Sequence, residues 1–105
     1  MATEIVNAKI TATTLGREDH GIPSSFIRLA WDGYGQGFGG YNLCGKAMEI
    51  WVSGILDALQ LGDWSKLPNT YCRIERDAEW NGKIIAIGHI VEDSWFFASS
   101  LMESS

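Results

Sequence analysis

The sequence predicts an α+β fold: one antiparallel sheet in β-β-α-β-β order, with one long amphipathic helix packed on one face. Three observations predict it. Stretches rich in Ile, Val and Thr stand before and after the middle of the chain, and several alternate apolar with polar residues, the period of a strand. The middle, Gly45 to Leu61, repeats apolar residues at three and four positions, the period of a helix. Short turn-rich segments join the strands on each side, so each pair closes as a hairpin. A chain of 105 residues makes this a single domain, residues 1–105.

The elements follow in order. Glu4 to Leu15 reads as the first strand, and residues 16–23, GREDHGIP, as a turn or exposed loop. Ser24 to Trp31 reads as the second strand. Its period of two puts Phe26, Arg28 and Ala30 on one face and Ile27, Leu29 and Trp31 on the other. The second set is the core set, so Arg28 faces solvent or lines a site. Residues 33–41, GYGQGFGGY, come next, with five glycines among nine residues. If this stretch is extended, one face is bare backbone and the other carries Tyr34, Gln36 and Phe38. Such a bare face lets a helix, a second subunit or a ligand approach closely.

In the helix, Met48, Trp51, Val52, Ile55, Leu56 and Leu59 form one apolar stripe, and Gly62 is its natural stop. Asp63 reads as the N-cap of a single turn that ends at Pro68. Thr70 to Asp77 is a strand, Asn81-Gly82 a hairpin signal and Lys83 to Val91 the returning strand. The tail SWFFASSLM packs down as a short helix or a final strand. The sheet face opposite the helix is left free, and in a chain with five tryptophans, three tyrosines and four phenylalanines that face suits a homo-oligomer.

Composition narrows the function classes. The net charge is −5, which argues against general DNA or RNA binding. It leaves room for a local basic pocket for one small anion. A chain this short buries roughly 65% of its unfolded surface, so its sites are shallow or shared between copies. Cys44 and Cys72 have no metal-ligand spacing and read as reduced, apolar residues. MATEIVNAKI has neither a basic nor an apolar leader region, and no apolar run reaches the ~20 residues of a membrane span. A cytoplasmic protein is expected, with no membrane partner.

The motifs are less decisive. GQGFGG, residues 35–40, matches GxGxxG. A dinucleotide fold also needs a parallel crossover and an acid about 20 residues on, which this chain does not offer. Two readings of the glycines stay open: a concave nest of N–H groups for an anion, or a bare strand that permits close packing. REDHG, residues 17–21, gathers Arg17, Asp19 and His20 in one turn, and GHIVEDSWFF would put His89, Val91 and Asp93 on one strand face. No nucleophile–base or paired-carboxylate spacing emerges, and no enzyme, cofactor or metal is expected. Trp95 offers a platform for a purine base. Arg17, Arg28, Arg73, Arg76 and Lys83 are candidate phosphate partners.

LGREDHGIP, GQGFGGY and WNGKIIAIGHIVEDSWF together resemble a small phage-encoded family with LGxEDHG, GQGFGGY and GHIxEDxWF motifs, over about Thr14 to Phe96. In size, aromatic content and layout the chain is also similar to the anti-Thoeris and anti-CBASS sponges of phages. That resemblance implies an oligomer that sequesters a cyclic nucleotide immune signal without cleaving it, in a pocket of arginines and rings between subunits. The expected site is Arg17, His20, Arg28, Tyr34, Gln36, Gly37, Phe38, Asp93 and Trp95. Tyr34, Phe38 or Trp95 stacks on the base. The glycine backbone with Arg28 or Arg17 holds phosphate, and His20, Gln36 and Asp93 give polar specificity. The alternative is an acidic phage inhibitor that binds a host defence or nucleic-acid enzyme directly. A minor phage structural or assembly protein is a third reading.

Overall fold

The longest strand, β1 (Thr3–Arg17), serves two partners. The computed structural model describes residues 3–17, 21–39, 43, 45–78 and 82–104. The first half of β1 pairs with β4 (Tyr71–Asp77) and its second half with β2 (Pro23–Trp31). Lys9 sits where the ladders meet, opposite Ala30 on one side and Tyr71 on the other. β3 (Tyr34–Gly39) pairs with β2, β5 (Ile84–His89) with β4, and β6 (Trp95–Phe97) with β5. Among the described residues this gives a 6-stranded antiparallel sheet in the order β3-β2-β1-β4-β5-β6.

The α+β class holds, but the order is β-β-β-α-β-β-β rather than β-β-α-β-β. The first added strand is the glycine stretch. Asp32 and Gly33 take φ of 46° and 82°, the doubly left-handed two-residue turn that suits a hairpin. That turn folds Tyr34–Gly39 back beside β2. The second is β6. His89 N–H donates to the Ser94 carbonyl at 3.0 Å, which closes a turn and brings Trp95–Phe97 alongside β5.

The helix α1 (Lys46–Leu59) has 14 residues, fewer than Gly45 to Leu61. Gln60 turns left-handed at φ 58° and ψ 42°. Leu61 N–H then reaches back to the Leu56 carbonyl at 2.9 Å, a closure that ends the helix ahead of Gly62. The single turn after it forms as expected at Trp64–Lys66. Asp63 caps it by accepting from Ser65 N–H at 2.8 Å, and that backbone bond holds its carboxyl below the usual range.

The helix lies on one face of a rolled sheet. Trp51 is fully buried, with its ring 5.2 Å from Phe38 on β3 and 5.8 Å, edge-on, from Phe96 on β6. These strands are the two edges of the sheet. In a flat six-stranded sheet the edges would stand about 24 Å apart, so the sheet curls round α1. Gln36 on β3 confirms the curl, donating from Nε2 to the Gly82 carbonyl beside β5 at 3.0 Å. Ala8, Ile10, Ile27, Leu29, Ile74 and Ile87 fill the inner face.

The fit at Gly54 is tight. A Cβ there would stand 2.3 Å from the Phe96 ring. Alanine favours helix by about 1 kcal/mol, yet overpacking costs about 1–3 kcal/mol. Gly54→Ala should therefore lower the Tm, and Phe96→Leu should recover part of the loss in the double variant. A Gly54→Ala protein more stable than the parent would refute this packing. Burial pushes the Cys72 thiol up to about 12, so maleimide at neutral pH should leave Cys72 unlabelled in peptide maps until the protein is unfolded. Cys44 lies outside the described residues.

Candidate functional site

The face turned away from α1 carries the candidate site. Its geometry begins with a bulge in β1. The β1–β2 register shifts between Ile10 and Ala12, leaving Thr11 as an extra residue. Thr11 Oγ1 donates to the Arg28 carbonyl at 3.3 Å. Before the bulge, Ile5, Asn7 and Lys9 point outward; after it, Ala12 and Thr14 do, opposite Arg28 and Phe26. Small residues on β1 thus face a ring and a guanidinium on β2.

These side chains line a shallow groove of about 240 Å³, formed by Ala12, Thr13, Thr14, Phe26 and Arg28. Phe26 is 47% exposed. Its ring leans over Gly37 of β3, where a Cβ would lie 3.2 Å from it. The bare glycine face is therefore a bed for Phe26. Among the described residues Arg28 has no hydrogen-bond or ion-pair partner for its guanidinium.

The nine expected site residues do not form one cluster. Arg28 and Gly37 are neighbours, paired across β2 and β3. Arg17 pairs with Pro23 and shares the inward parity of Thr13, so it faces away from Arg28. Phe38 is 1% exposed and packed on Trp51, with no face for a ligand to stack on. The amide of Gln36 is bonded to Gly82. Tyr34 is 68% exposed and its ring lies 6.4 Å from that of Trp31. Gln36, Gly37 and Phe38 do line a second hollow, of about 130 Å³, with Lys83 at its side. Over Tyr34–Gly39 the backbone is a strand, and a strand sends successive N–H groups to opposite sides, so these glycines form no convergent nest. His20 lies outside the described residues.

Trp95 and Asp93 belong to the far end of the sheet. Trp95 lies over Gly88, where a Cβ would come within 2.5 Å of the indole. The Arg73 guanidinium stands 5.1 Å from the Trp95 ring centre. Arg73 is held there by its Nε and Nη2, which donate to the His89 and Glu92 carbonyls, each at 2.8 Å. Arg76 is engaged too, with Glu4 and with the Trp31 ring. Asp93 is exposed in the turn between β5 and β6. The strand ends at His89, so His89, Val91 and Asp93 do not share a strand face. His89 Nδ1 instead accepts from Val91 N–H at 3.1 Å and Glu92 N–H at 3.0 Å.

Two features escaped the sequence reading. Phe26 was placed on the Arg28 face by the period of two, which was the available signal. Lys9, 5.7 Å from the Tyr71 ring centre, meets Tyr71 only through the β1–β4 pairing, for which the sequence carries no local signal. Among the described residues, no group of three His, Cys, Asp or Glu is placed to hold a metal ion, and no helix is long and apolar enough to cross a membrane.

No protein-family model matches the chain, and comparisons with curated proteins and with solved structures give no match.

With Nδ1 accepting two N–H groups, neutral His89 carries its proton on Nε2. Long-range proton–nitrogen NMR spectra should show that tautomer, and the Nδ1–H form would refute the turn geometry.

Proposed function

We propose that this chain is a non-catalytic binding protein that holds a small nucleotide-derived ligand in the outer groove. One observation carries the reading: the unengaged Arg28 guanidinium stands beside the exposed Phe26 ring. Arginine grips phosphate through parallel N–H bonds, and an exposed ring stacks on a base. The stacking ring is then Phe26 rather than Tyr34, Phe38 or Trp95.

The groove is open to solvent, so a second copy supplies the missing wall and the ligand is held between subunits. With the resemblance to phage families, the function becomes that of a phage anti-defence protein in the host cytoplasm. It sequesters a cyclic nucleotide immune signal and returns it uncleaved.

A second reading has its own observation. Exposed acids gather on α1 and in the turns, at Glu49, Asp57, Asp63, Glu92 and Asp93. This side suits direct inhibition of a host enzyme with a basic groove.

Native mass spectrometry with cyclic dinucleotides, cyclic trinucleotides and cyclic ADP-ribose isomers separates the readings. Retention of an intact ligand on a defined oligomer is expected. Arg28→Glu should abolish it, and Phe26→Ala should weaken it about tenfold or more, with melting curves unchanged. A ligand returned cleaved would make the protein an enzyme. An empty protein across the panel would leave the acidic side as the functional one.

A further inference from the structure

Three cations of the outer face each stand beside a ring. Arg28 and Phe26 alternate along β2 and share the groove. Lys9 on β1 lies by Tyr71 on β4, which is 61% exposed. Arg73 on β4 lies by Trp95 on β6. The ladder puts these pairs on successive rungs. Arg73 faces Gly88, and Gly88 faces Trp95; Tyr71 and Lys9 come next; Arg28 and Phe26 follow beyond the bulge.

Two residues of strand advance about 6.7 Å, and neighbouring strands stand about 4.8 Å apart. The pairs therefore run diagonally from β6 to β2 over roughly 25–30 Å, within the 34 Å long axis of the molecule. Glu75 and Asp77 sit past Arg73 on β4, and Glu92 and Asp93 are exposed in the turn whose Glu92 carbonyl Arg73 bonds, so the nearby acids gather at the Arg73 end. Glu75 accepts there from the Thr3 hydroxyl at 2.8 Å. An acidic chain thus presents a diagonal of alternating cations and rings.

We infer that this diagonal takes a single-stranded oligonucleotide of about four nucleotides or more. Its phosphates follow Arg28, Lys9 and the Nη1 edge of Arg73, the nitrogen left over from the bonds to the His89 and Glu92 carbonyls, and its bases stack on Phe26 and Tyr71. The inference rests on the Phe26–Arg28 site proposed above and extends it from a small ligand to a strand. Charge decides the occupant. A second copy laid face to face along the whole diagonal, with no anion between, would set like cations against each other, whereas a polyanion neutralises them, as the small anionic ligand does in the groove alone. Projecting rings favour unpaired bases over a duplex, whose bases are already stacked.

Fluorescence anisotropy with oligothymidylates and oligouridylates of about two, four, eight and twelve nucleotides tests this, and the two series separate DNA from RNA. Affinity should rise at least about tenfold between two and eight nucleotides, then level off. Three phosphate contacts predict a slope of log K against log salt of about −2, and Lys9→Glu should lower its magnitude by about 0.7 or more. Tyr71→Ala, at an exposed ring, should weaken binding about tenfold without changing the melting curve. Lys46→Glu, an equal charge change at the start of α1, should leave binding unchanged.

No oligonucleotide binding at low salt would overturn the inference. So would equal binding of a duplex, equal loss in Lys46→Glu, or equal competition by polyglutamate, which would point to an acidic protein partner. A protein that sediments as a dimer and excludes oligonucleotides would assign the face to a second copy. The cyclic-nucleotide panel reads the groove alone. Cyclic nucleotides bound without oligonucleotides would sink the diagonal and spare the small-ligand reading; the reverse result would sink the small-ligand reading and spare the diagonal.

Discussion

One buried indole ties the two edges of the sheet together. Trp51 on α1 touches Phe38 on β3 and Phe96 on β6, strands that are five positions apart in the sheet order. A flat sheet could not keep both contacts at once, so the roll of the sheet and the seat of the helix are one constraint. Gly54, a turn from Trp51, lets the helix drop onto the Phe96 ring. With the large rings of the core drawn inward around Trp51, the opposite face keeps Ile5, Phe26, Tyr71 and Phe97 exposed. The small core and the aromatic outer surface have the same origin.

A second constraint is one residue long. Thr11 is the bulge that switches the parity of β1. A side-chain period of two means that one extra residue sends everything after it to the other face. Ala12 and Thr14 thereby come under Phe26 and Arg28, and the groove exists because they are small. By the same switch Arg17 is carried away from Arg28. Uninterrupted alternation would have put Arg17 on the face of Lys9, and the expected pair of phosphate-binding arginines would have been plausible.

Much of the fold was legible because its signals are local. The helix stripe, the Asp63 cap and the core face of β2 each depend on residues close together in sequence. The third strand was missed: the turn at Asp32-Gly33 makes it, but the glycines that follow drew the reading to a phosphate nest or a bare platform for close packing. The site was far less legible. Gln36 looks free until Gly82 arrives from 46 residues away. Phe38 looks like a stacking ring until the helix covers it. The Lys9–Tyr71 and Arg73–Trp95 pairs exist only once β1, β4, β5 and β6 lie side by side. Long-range strand pairing carries no periodic mark in a single sequence, and the bulge erases the mark that alternation would leave.

Net charge misled for a related reason. A value of −5 counts every residue once, whereas a ligand at the surface feels charges within roughly a Debye length of 10 Å. Lys9, Arg28 and Arg73 fall on one face, with Glu75, Asp77 and the Glu92–Asp93 turn gathered at its Arg73 end, while Glu49, Asp57 and Asp63 sit on or just after the helix. The acids on the far side are separated from the outer groove by the low-dielectric core around Trp51, and salt screens the paths that run round it. The sign that matters at Phe26 is therefore that of Arg28, whose guanidinium has no carboxylate within ion-pair distance among the described residues. A small acidic protein can present a cationic, aromatic stretch of surface whenever its sheet gathers the acids of that face at one end and leaves the rest on the other side of the core.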